Sequence, residues 1–172
     1  MLELGPGNGE VALALATKNP DDFHVLIDMN IHAADEIGRQ IAKRNLKNVG
    51  VVTGVAHAEL SRLDDRVEFD VVHCYFPSPL NNIAMPAPRL YDQITCREIL
   101  RLTQTGSEFF TVSDKAFVID RFEKRLAPAF RLGTWRPPIS PLMEGAVIGT
   151  QNERIHCIAR DVTPSVARLV RT

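Results

Sequence analysis

The first residues of the chain restrict its fold more than any other part of the sequence. A short apolar run, Leu2-Glu-Leu4, is followed directly by the turn Gly5-Pro-Gly-Asn-Gly9 and by a segment of good helix formers at 9–18. Glycine can adopt a positive φ and leaves room for other atoms to approach the backbone. The pattern therefore predicts a buried strand joined by a tight turn to a packed helix, the first unit of a parallel α/β sheet.

The strand and helix pattern then repeats along the chain. Further strands are predicted at 23–28, 48–53, 69–76 and 108–112, and further helices at 31–46, 56–63, 92–103 and 115–127. Two closing strands are predicted at 130–136 and 154–160, and a proline-rich loop at 77–88. This order predicts an α/β fold with a mostly parallel seven-stranded sheet. We expect one domain over residues 1–161 and a C-terminal tail over 162–172.

Composition limits the kinds of protein that this chain can be. The 172 residues are 45% hydrophobic and 24% charged, which is typical of a soluble globular domain, and no apolar run reaches the ~18 residues of a membrane span. Cys74, Cys96 and Cys157 lack CxxC spacing, which favours free thiols in the cytoplasm and no metal site. Because Met1 directly precedes the first strand, we expect a late gene start or a lost N-terminal segment, and no secretory leader.

Charge is unevenly distributed, although the net charge is only −1. Residues 1–114 carry 10 Lys and Arg against 16 Asp and Glu, whereas residues 115–172 carry 10 against 5. A net charge close to zero argues against binding nucleic acid by bulk electrostatics. The basic C-terminal third could still contact phosphate groups, or it could be an ordinary solvated surface.

The glycine turn also has the chemistry of a cofactor site. Its Gly-x-Gly-x-Gly spacing is tighter than the Gly-x-Gly-x-x-Gly of a dinucleotide site, and Glu3 stands on the preceding strand. This arrangement resembles motif I of class I S-adenosylmethionine-dependent methyltransferases, which have a Rossmann-like fold and an antiparallel strand near the C-terminus. The resemblance implies that Gly5, Gly7 and Gly9 line the cofactor and that Glu3 lies near its cationic methionine end. A turn without a ligand and an NAD site are the alternatives.

Two further positions are candidates for binding the adenosine part of the cofactor. Asp28 ends the second predicted strand, where a carboxylate can accept hydrogen bonds from both ribose hydroxyls. Its alternative role, capping the helix at 31–46, fits Asn30 better by position. In the methyltransferases an acid or asparagine usually follows the third strand. Since Val55 and Ala56 stand there, we expect their backbone groups to bind adenine.

A rigid Pro-x-Pro turn after the fourth predicted strand points to a particular family. Tyr75-Phe-Pro-Ser-Pro-Leu80 resembles the Phe-Pro-Asp-Pro-Trp loop of the tRNA (guanine-N7-)-methyltransferases, and Leu2–Glu10 is similar to the opening motif of that family. Further similarities are found at Leu46-Lys-Asn-Val49, Arg89-Leu90, Thr111-Val-Ser-Asp114, Ile139-Ser-Pro-Leu-Met-Glu144, Gly145 and Gly149. The resemblance implies transfer of a methyl group from S-adenosylmethionine to tRNA. It also implies that Ser78 and Asp114 are catalytic-site residues and, with Glu144, bind the substrate.

The departures from the family lie where the family handles RNA. Ser78 replaces an Asp, Leu80 replaces a Trp, and residues 81–88 contain no Lys, Arg or His, although the family is basic there. Because phosphate contacts dominate RNA affinity, this neutral loop weakens the case for tRNA. The hypotheses are a divergent tRNA enzyme with cations from elsewhere, a methyltransferase for a small molecule, and a non-catalytic cofactor-binding partner subunit.

Several candidate residues also have simpler interpretations. Asp114 could cap the helix at 115–127, and Glu144 could be a surface turn residue. His73 and Cys74 are interpreted as packing residues and not as a base and a nucleophile. Guanine N7 is itself nucleophilic, so we expect catalysis to consist mostly of alignment of the acceptor with the methyl group.

Overall fold

The computed structural model describes residues 1–77, 89–136, 162–172 and the single residues Glu153, Cys157 and Arg160. Its strands are β1 (Leu2–Leu4), β2 (His24–Asp28), β3 (Val49–Thr53), β4 (Val71–Tyr75), β5 (Glu108–Ser113), β6 (Phe130–Gly133) and β7 (Ser165–Arg171). Its helices are α1 (Glu10–Lys18), α2 (Ile31–Arg44), α3 (Ala56–Leu60), α4 (Gln93–Arg101) and α5 (Ala116–Leu126). The elements predicted up to the sixth strand are confirmed, several of them with shorter ends.

Within the described residues the strands form one seven-stranded sheet in the order β3-β2-β1-β4-β5-β7-β6. The first five strands are parallel, and β7 runs antiparallel between β5 and β6. This confirms the predicted α/β fold with its antiparallel strand near the C-terminus. The chain moves from β1 outwards to β3 and then returns to β4 on the other side of β1. Ligands of α/β proteins bind at the carboxyl ends of the strands where the strand order reverses in this way.

The two faces of the sheet are packed differently around β1. Leu2 and Leu4 belong to the larger core, together with Phe109 of β5 and Phe122 of α5. Because side chains alternate along a strand, Glu3 points to the opposite face. There α1 packs on the sheet through Val11 and Leu15. The alternation therefore places an acidic side chain inside the molecule.

The end of the chain corrects two predictions. Residues 165–171, which were expected to lie in a C-terminal tail, form β7 and pair with both β5 and β6. The closing strand expected at 154–160 lies mostly outside the described residues. At Cys157 it is wrong, because the Cys157 N–H donates to the Glu153 carbonyl (2.8 Å) as in a helical turn.

The arginines of β7 explain why this strand resembles a solvated tail in the sequence. The guanidinium of Arg168 forms an ion pair with Glu108 of β5. That of Arg171 donates to the Leu100 carbonyl (2.7 Å) and to the Thr103 hydroxyl (2.8 Å). Both guanidinium groups thus have partners within the protein, which allows two arginines in a strand that is paired on both sides.

Three further predictions concern membranes, thiols and metals. None of the described helices has the length and apolar character needed to cross a membrane. Cys74, Cys96 and Cys157 are buried free thiols. In the parts of the chain that the structure describes, His, Cys, Asp and Glu side chains form no group of three that could hold a metal ion.

Candidate active site

The glycine turn after β1 adopts a conformation that favours glycine at three positions. Gly5, Gly7 and Gly9 have φ values of 66°, 59° and 74°. A Cβ at Gly9 would lie 3.0 Å from Cγ1 of Ile37, and one at Gly5 would lie 3.1 Å from Cδ1 of Leu90. Side chains at these positions would be strained by the backbone and by close neighbours. The turn therefore requires glycine, and it lies at the edge of the sheet where the strand order reverses.

Asp28 at the end of β2 is bound to this turn. Its Oδ2 accepts a hydrogen bond from the Gly7 N–H (3.1 Å), and its Oδ1 accepts one from the Asn30 N–H (2.8 Å). The cap of α2 is Asn30, whose Oδ1 accepts from the His32 N–H (3.0 Å). Asp28 therefore does not cap α2 but links the β2 terminus to the glycine turn, a contact that sequence spacing did not reveal.

Glu3 lies beneath the turn with only 3% of its surface exposed. Its Oε2 has no hydrogen-bond partner among the described residues. Burial raises the pKa of the carboxyl group from 4.5 to about 8, and a hydrogen bond with the Ala12 backbone opposes this shift in part. Glu3 is therefore held as a neutral acid at pH 7, which is unusual for a glutamate.

A narrow cleft brings Glu3 together with a residue that sequence reasoning missed. The cleft is lined by Glu3, Gly5, Pro6, Asn8, Glu10, Val11 and Tyr75. Tyr75 is 5% exposed, its hydroxyl has no partner among the described groups, and burial raises its pKa well above 10. The sequence did contain a signal for Tyr75, because it is the last residue of β4 and faces the same side of the sheet as Glu3. The described lining holds two acids and no basic side chain, so it suits a cation.

The chain leaves β4 through a strained residue at the same edge. Phe76 has a φ of 47°, which is uncommon for a residue other than glycine, and its N–H donates to the Val112 carbonyl (2.7 Å). Such strain is found most often at functional sites. Ser78 follows shortly after, but Ser78 and Glu144 lie outside the described residues.

The other candidate residues lie at the same edge but are not in the narrow cleft. Val55 begins α3 directly after Gly54, whose N–H donates to the Asp28 carbonyl (2.9 Å), so Val55 and the buried Ala56 adjoin Asp28. Asp114 follows β5, and its Oδ2 lies 3.2 Å from Nζ of Lys115. Asp114 does not cap α5, because that helix begins after Lys115 without a side-chain cap.

His73 and Cys74 have the properties of packing residues. Burial lowers the pKa of His73 to about 3 and raises that of Cys74 well above 9. A thiol is nucleophilic only as the thiolate, so Cys74 is unreactive. The His73 ring lies 5.1 Å from the Tyr75 ring and 5.4 Å from the Phe110 ring. These two residues therefore contribute to the core and not to the chemistry.

The chain belongs to a methyltransferase family. The family model described as "Putative methyltransferase" matches residues 1–132. A tRNA (guanine-N(7)-)-methyltransferase of Caulobacter sp. (strain K31) is 30% identical over 132 residues, which are 76% of this chain and 58% of that protein. The family resemblance expected from the motifs is confirmed, and the chain spans little more than half the length of this relative.

Solved structures of other proteins share the fold. TrmN from Thermus thermophilus superposes with a TM-score of 0.69 at 19% identity, over 99% of this chain and 43% of that chain. A protein from Streptococcus mutans, described as a "putative methyltransferase" in complex with SAH (S-adenosylhomocysteine), superposes with a TM-score of 0.63 at 12% identity, over 99% of this chain and 88% of that chain. The predicted Rossmann-like class I methyltransferase fold is confirmed.

Proposed function

We propose that this chain is an S-adenosylmethionine-dependent methyltransferase and that its acceptor is a guanine N7 of tRNA. The observation that carries the cofactor assignment is the neutral, buried Glu3 beneath a turn of bare glycine backbone. The family and the fold shared with an SAH-bound methyltransferase support it. The acceptor assignment is supported by the tRNA (guanine-N(7)-)-methyltransferase name of the relative at 30% identity.

The residues of the cleft fit S-adenosylmethionine. Two buried polar atoms without described partners, Oε2 of Glu3 and the Tyr75 hydroxyl, could contact its cationic and polar methionine end. Gly5 and Gly7 are only half-buried, so their backbone groups could contact the ligand. Each Asp28 oxygen accepts one backbone N–H, and a carboxylate has about four acceptor sites, so ribose hydroxyls could still donate to it.

On this proposal the protein contributes mostly binding and alignment. When bound, S-adenosylmethionine supplies a methyl group on a positively charged sulfur. Backbone groups at Val55 and Ala56 would hold the adenine. Ser78, Asp114 and Glu144, carried over from the family, would position the acceptor. Its nitrogen would then approach the methyl carbon in line with the methyl–sulfur bond.

The first test removes the carboxylate at Asp28. Because Asp28 both faces the site and holds the Gly7 N–H, Asp28→Ala is expected to weaken SAH binding by tenfold or more, about the loss of one charge-assisted hydrogen bond. Isothermal titration calorimetry measures this. Asp35→Ala is the matched control, since it removes an exposed carboxylate from α2. Equal affinity of the Asp28 variant and the wild type would contradict the ribose assignment.

The second test identifies the acceptor. Incubation with S-adenosylmethionine labelled in the methyl group is expected to label bulk tRNA from cells that lack the modification, with the label recovered as 7-methylguanine. Asp28→Ala should label tRNA about tenfold more slowly at cofactor concentrations below the dissociation constant. A chain that binds SAH but leaves tRNA unlabelled would contradict the tRNA assignment and favour a small-molecule acceptor, as the neutral sequence at 81–88 suggests.

A further inference from the structure

An exposed aromatic side chain lies at the start of α5. Phe117 is 44% exposed and stands in the first turn of this helix. It is supported by Tyr91, which is only 2% exposed and whose ring meets the Phe117 ring edge to face, with 6.4 Å between the ring centroids. The Tyr91 ring packs in the same way on the core residue Phe122. The Phe117 ring is therefore anchored to the core, while much of the side chain remains accessible.

Arg121 lies one helical turn after Phe117 and holds its guanidinium group against both rings. The guanidinium carbon lies 5.3 Å from the centroid of the Phe117 ring and 5.3 Å from that of the Tyr91 ring. These distances are typical of cation–π contacts, in which arginine often stacks on the aromatic ring. Arg121 is exposed and forms no ion pair with a described residue. A positive charge is thus held beside an accessible aromatic ring.

These side chains adjoin the proposed cofactor cleft. Because α5 follows β5 directly, its first turn lies at the carboxyl edge of the sheet, as the glycine turn does. Leu90, the neighbour of Tyr91, lies so close to the glycine turn that a Cβ at Gly5 would be 3.1 Å from its Cδ1. Phe117 and Arg121 therefore lie next to the edge at which, on the proposed function, the acceptor binds.

The exposed face of α5 carries more cations than acids. Arg121 and Lys124 follow Phe117 by four and seven residues, so the three side chains share one face of the helix. Asp120 is the one acid among the exposed residues of α5, against these two cations. A positive helix face of this kind suits phosphate groups.

We propose that the face of Phe117, Arg121 and Lys124, which we call the α5 surface, binds tRNA beside the cofactor cleft. An unpaired base stacks on Phe117, and Arg121 and Lys124 contact phosphate groups. Aromatic rings stack on unpaired bases of RNA, and arginine adds both charge and stacking. The inference rests on the proposed tRNA acceptor, and it supplies cations that the sequence at 81–88 lacks.

The affinity for tRNA that lacks the modification tests the base stack, and fluorescence anisotropy measures it. Phe117→Ala should weaken tRNA binding about tenfold, the usual loss for one stacked base, with unchanged affinity for SAH. Phe117→Trp should bind tRNA as the wild type does, because it retains a flat aromatic ring. Phe23→Ala is the matched control, since Phe23 is 57% exposed but precedes β2 at the opposite edge of the sheet.

The salt dependence of tRNA binding tests the two cations. Each cation that contacts a phosphate adds about 0.7–0.9 to the slope of log affinity against log salt concentration. Arg121→Gln and Lys124→Gln should each lower this slope by about that amount, whereas Phe117→Ala should leave it unchanged. Arg44→Gln is the control, because Arg44 is an exposed cation in the last turn of α2, at the opposite edge of the sheet.

Methyl labelling of tRNA separates this inference from the proposed acceptor. We expect the wild type to label tRNA, and Phe117→Ala to have a KM for tRNA about tenfold higher with an unchanged kcat. If the wild type labels tRNA and the three variants of the α5 surface bind and label it equally well, only the α5 surface is wrong. If Phe117→Ala keeps its tRNA affinity but changes the oligomeric state in ultracentrifugation, the surface contacts protein and not RNA. A wild type that neither binds nor labels tRNA would overturn both proposals.

Discussion

Replacing Gly9 with alanine is expected to lower the free energy of unfolding by about 2–4 kcal/mol. Gly9 has a φ of 74°, which costs an L-residue roughly 1–2 kcal/mol. The new Cβ would also lie 3.0 Å from Cγ1 of Ile37, a fully buried side chain with little room to move. Urea unfolding at pH 7 measures the loss, and the distorted turn should also weaken SAH binding.

Gly38→Ala is the matched control for this substitution. Gly38 lies inside α2, and a Cβ there would have no atom within 4 Å. Alanine is the better helix former, so this variant should be more stable than the wild type by about 0.5–1 kcal/mol. Replacing glycine with alanine would thus lower the free energy of unfolding at position 9 and raise it at position 38. Equal stability of both variants would contradict the argument that the turn requires glycine.

Replacing His73 with leucine is expected to make the protein less sensitive to acid. Burial lowers the pKa of His73 from 6.5 to about 3, and neither ring nitrogen has a partner among the described residues. Between these pH values the unfolded chain takes up a proton that the folded protein does not. The wild type therefore loses up to about 1.4 kcal/mol of stability per pH unit through this group as the pH falls. Leucine, similar in size, also removes two unsatisfied polar atoms and should stabilise the protein at pH 7.

The measurement is the difference in unfolding free energy between His73→Leu and the wild type from pH 7 to pH 4. This difference should grow as the pH falls, by several kcal/mol in total. Glu3 has the opposite dependence: its raised pKa stabilises the fold at low pH, and this contribution is lost as the pH rises from 4.5 to about 8. Because Glu3 is present in both proteins, its effect cancels. A difference that stays constant with pH would show that His73 titrates normally in the folded protein.

The order of strands and helices could be predicted from the sequence because short apolar runs alternate with helical patterns. The strand β7 could not, since the partners of Arg168 and Arg171 come from β5 and from the end of α4 and its following loop, far away in the sequence. Local patterns do not contain such tertiary contacts. An arginine-containing segment at a chain end therefore resembles a solvated tail until its neighbours are known.

The candidate site could be predicted in part. The glycine spacing indicates the bare turn, and the position of Asp28 after β2 indicates the edge of the sheet. The hydrogen bond from the Gly7 N–H to Asp28 and the missing partner of Glu3 depend on how β1, β2 and α1 pack together. Tyr75 was missed as a site residue because an aromatic residue ending a strand is most often a core residue. The substrate-side roles of Ser78, Asp114 and Glu144 rest on the family resemblance.

A crystal structure of the chain with S-adenosylhomocysteine tests the central claim most directly. We expect the ligand's homocysteine end to lie beside Glu3 and Tyr75, with Gly5 and Gly7 as its backbone neighbours. Its ribose hydroxyls should donate hydrogen bonds to Asp28. Density for the ligand at another edge of the sheet, or a ribose held without Asp28, would contradict it.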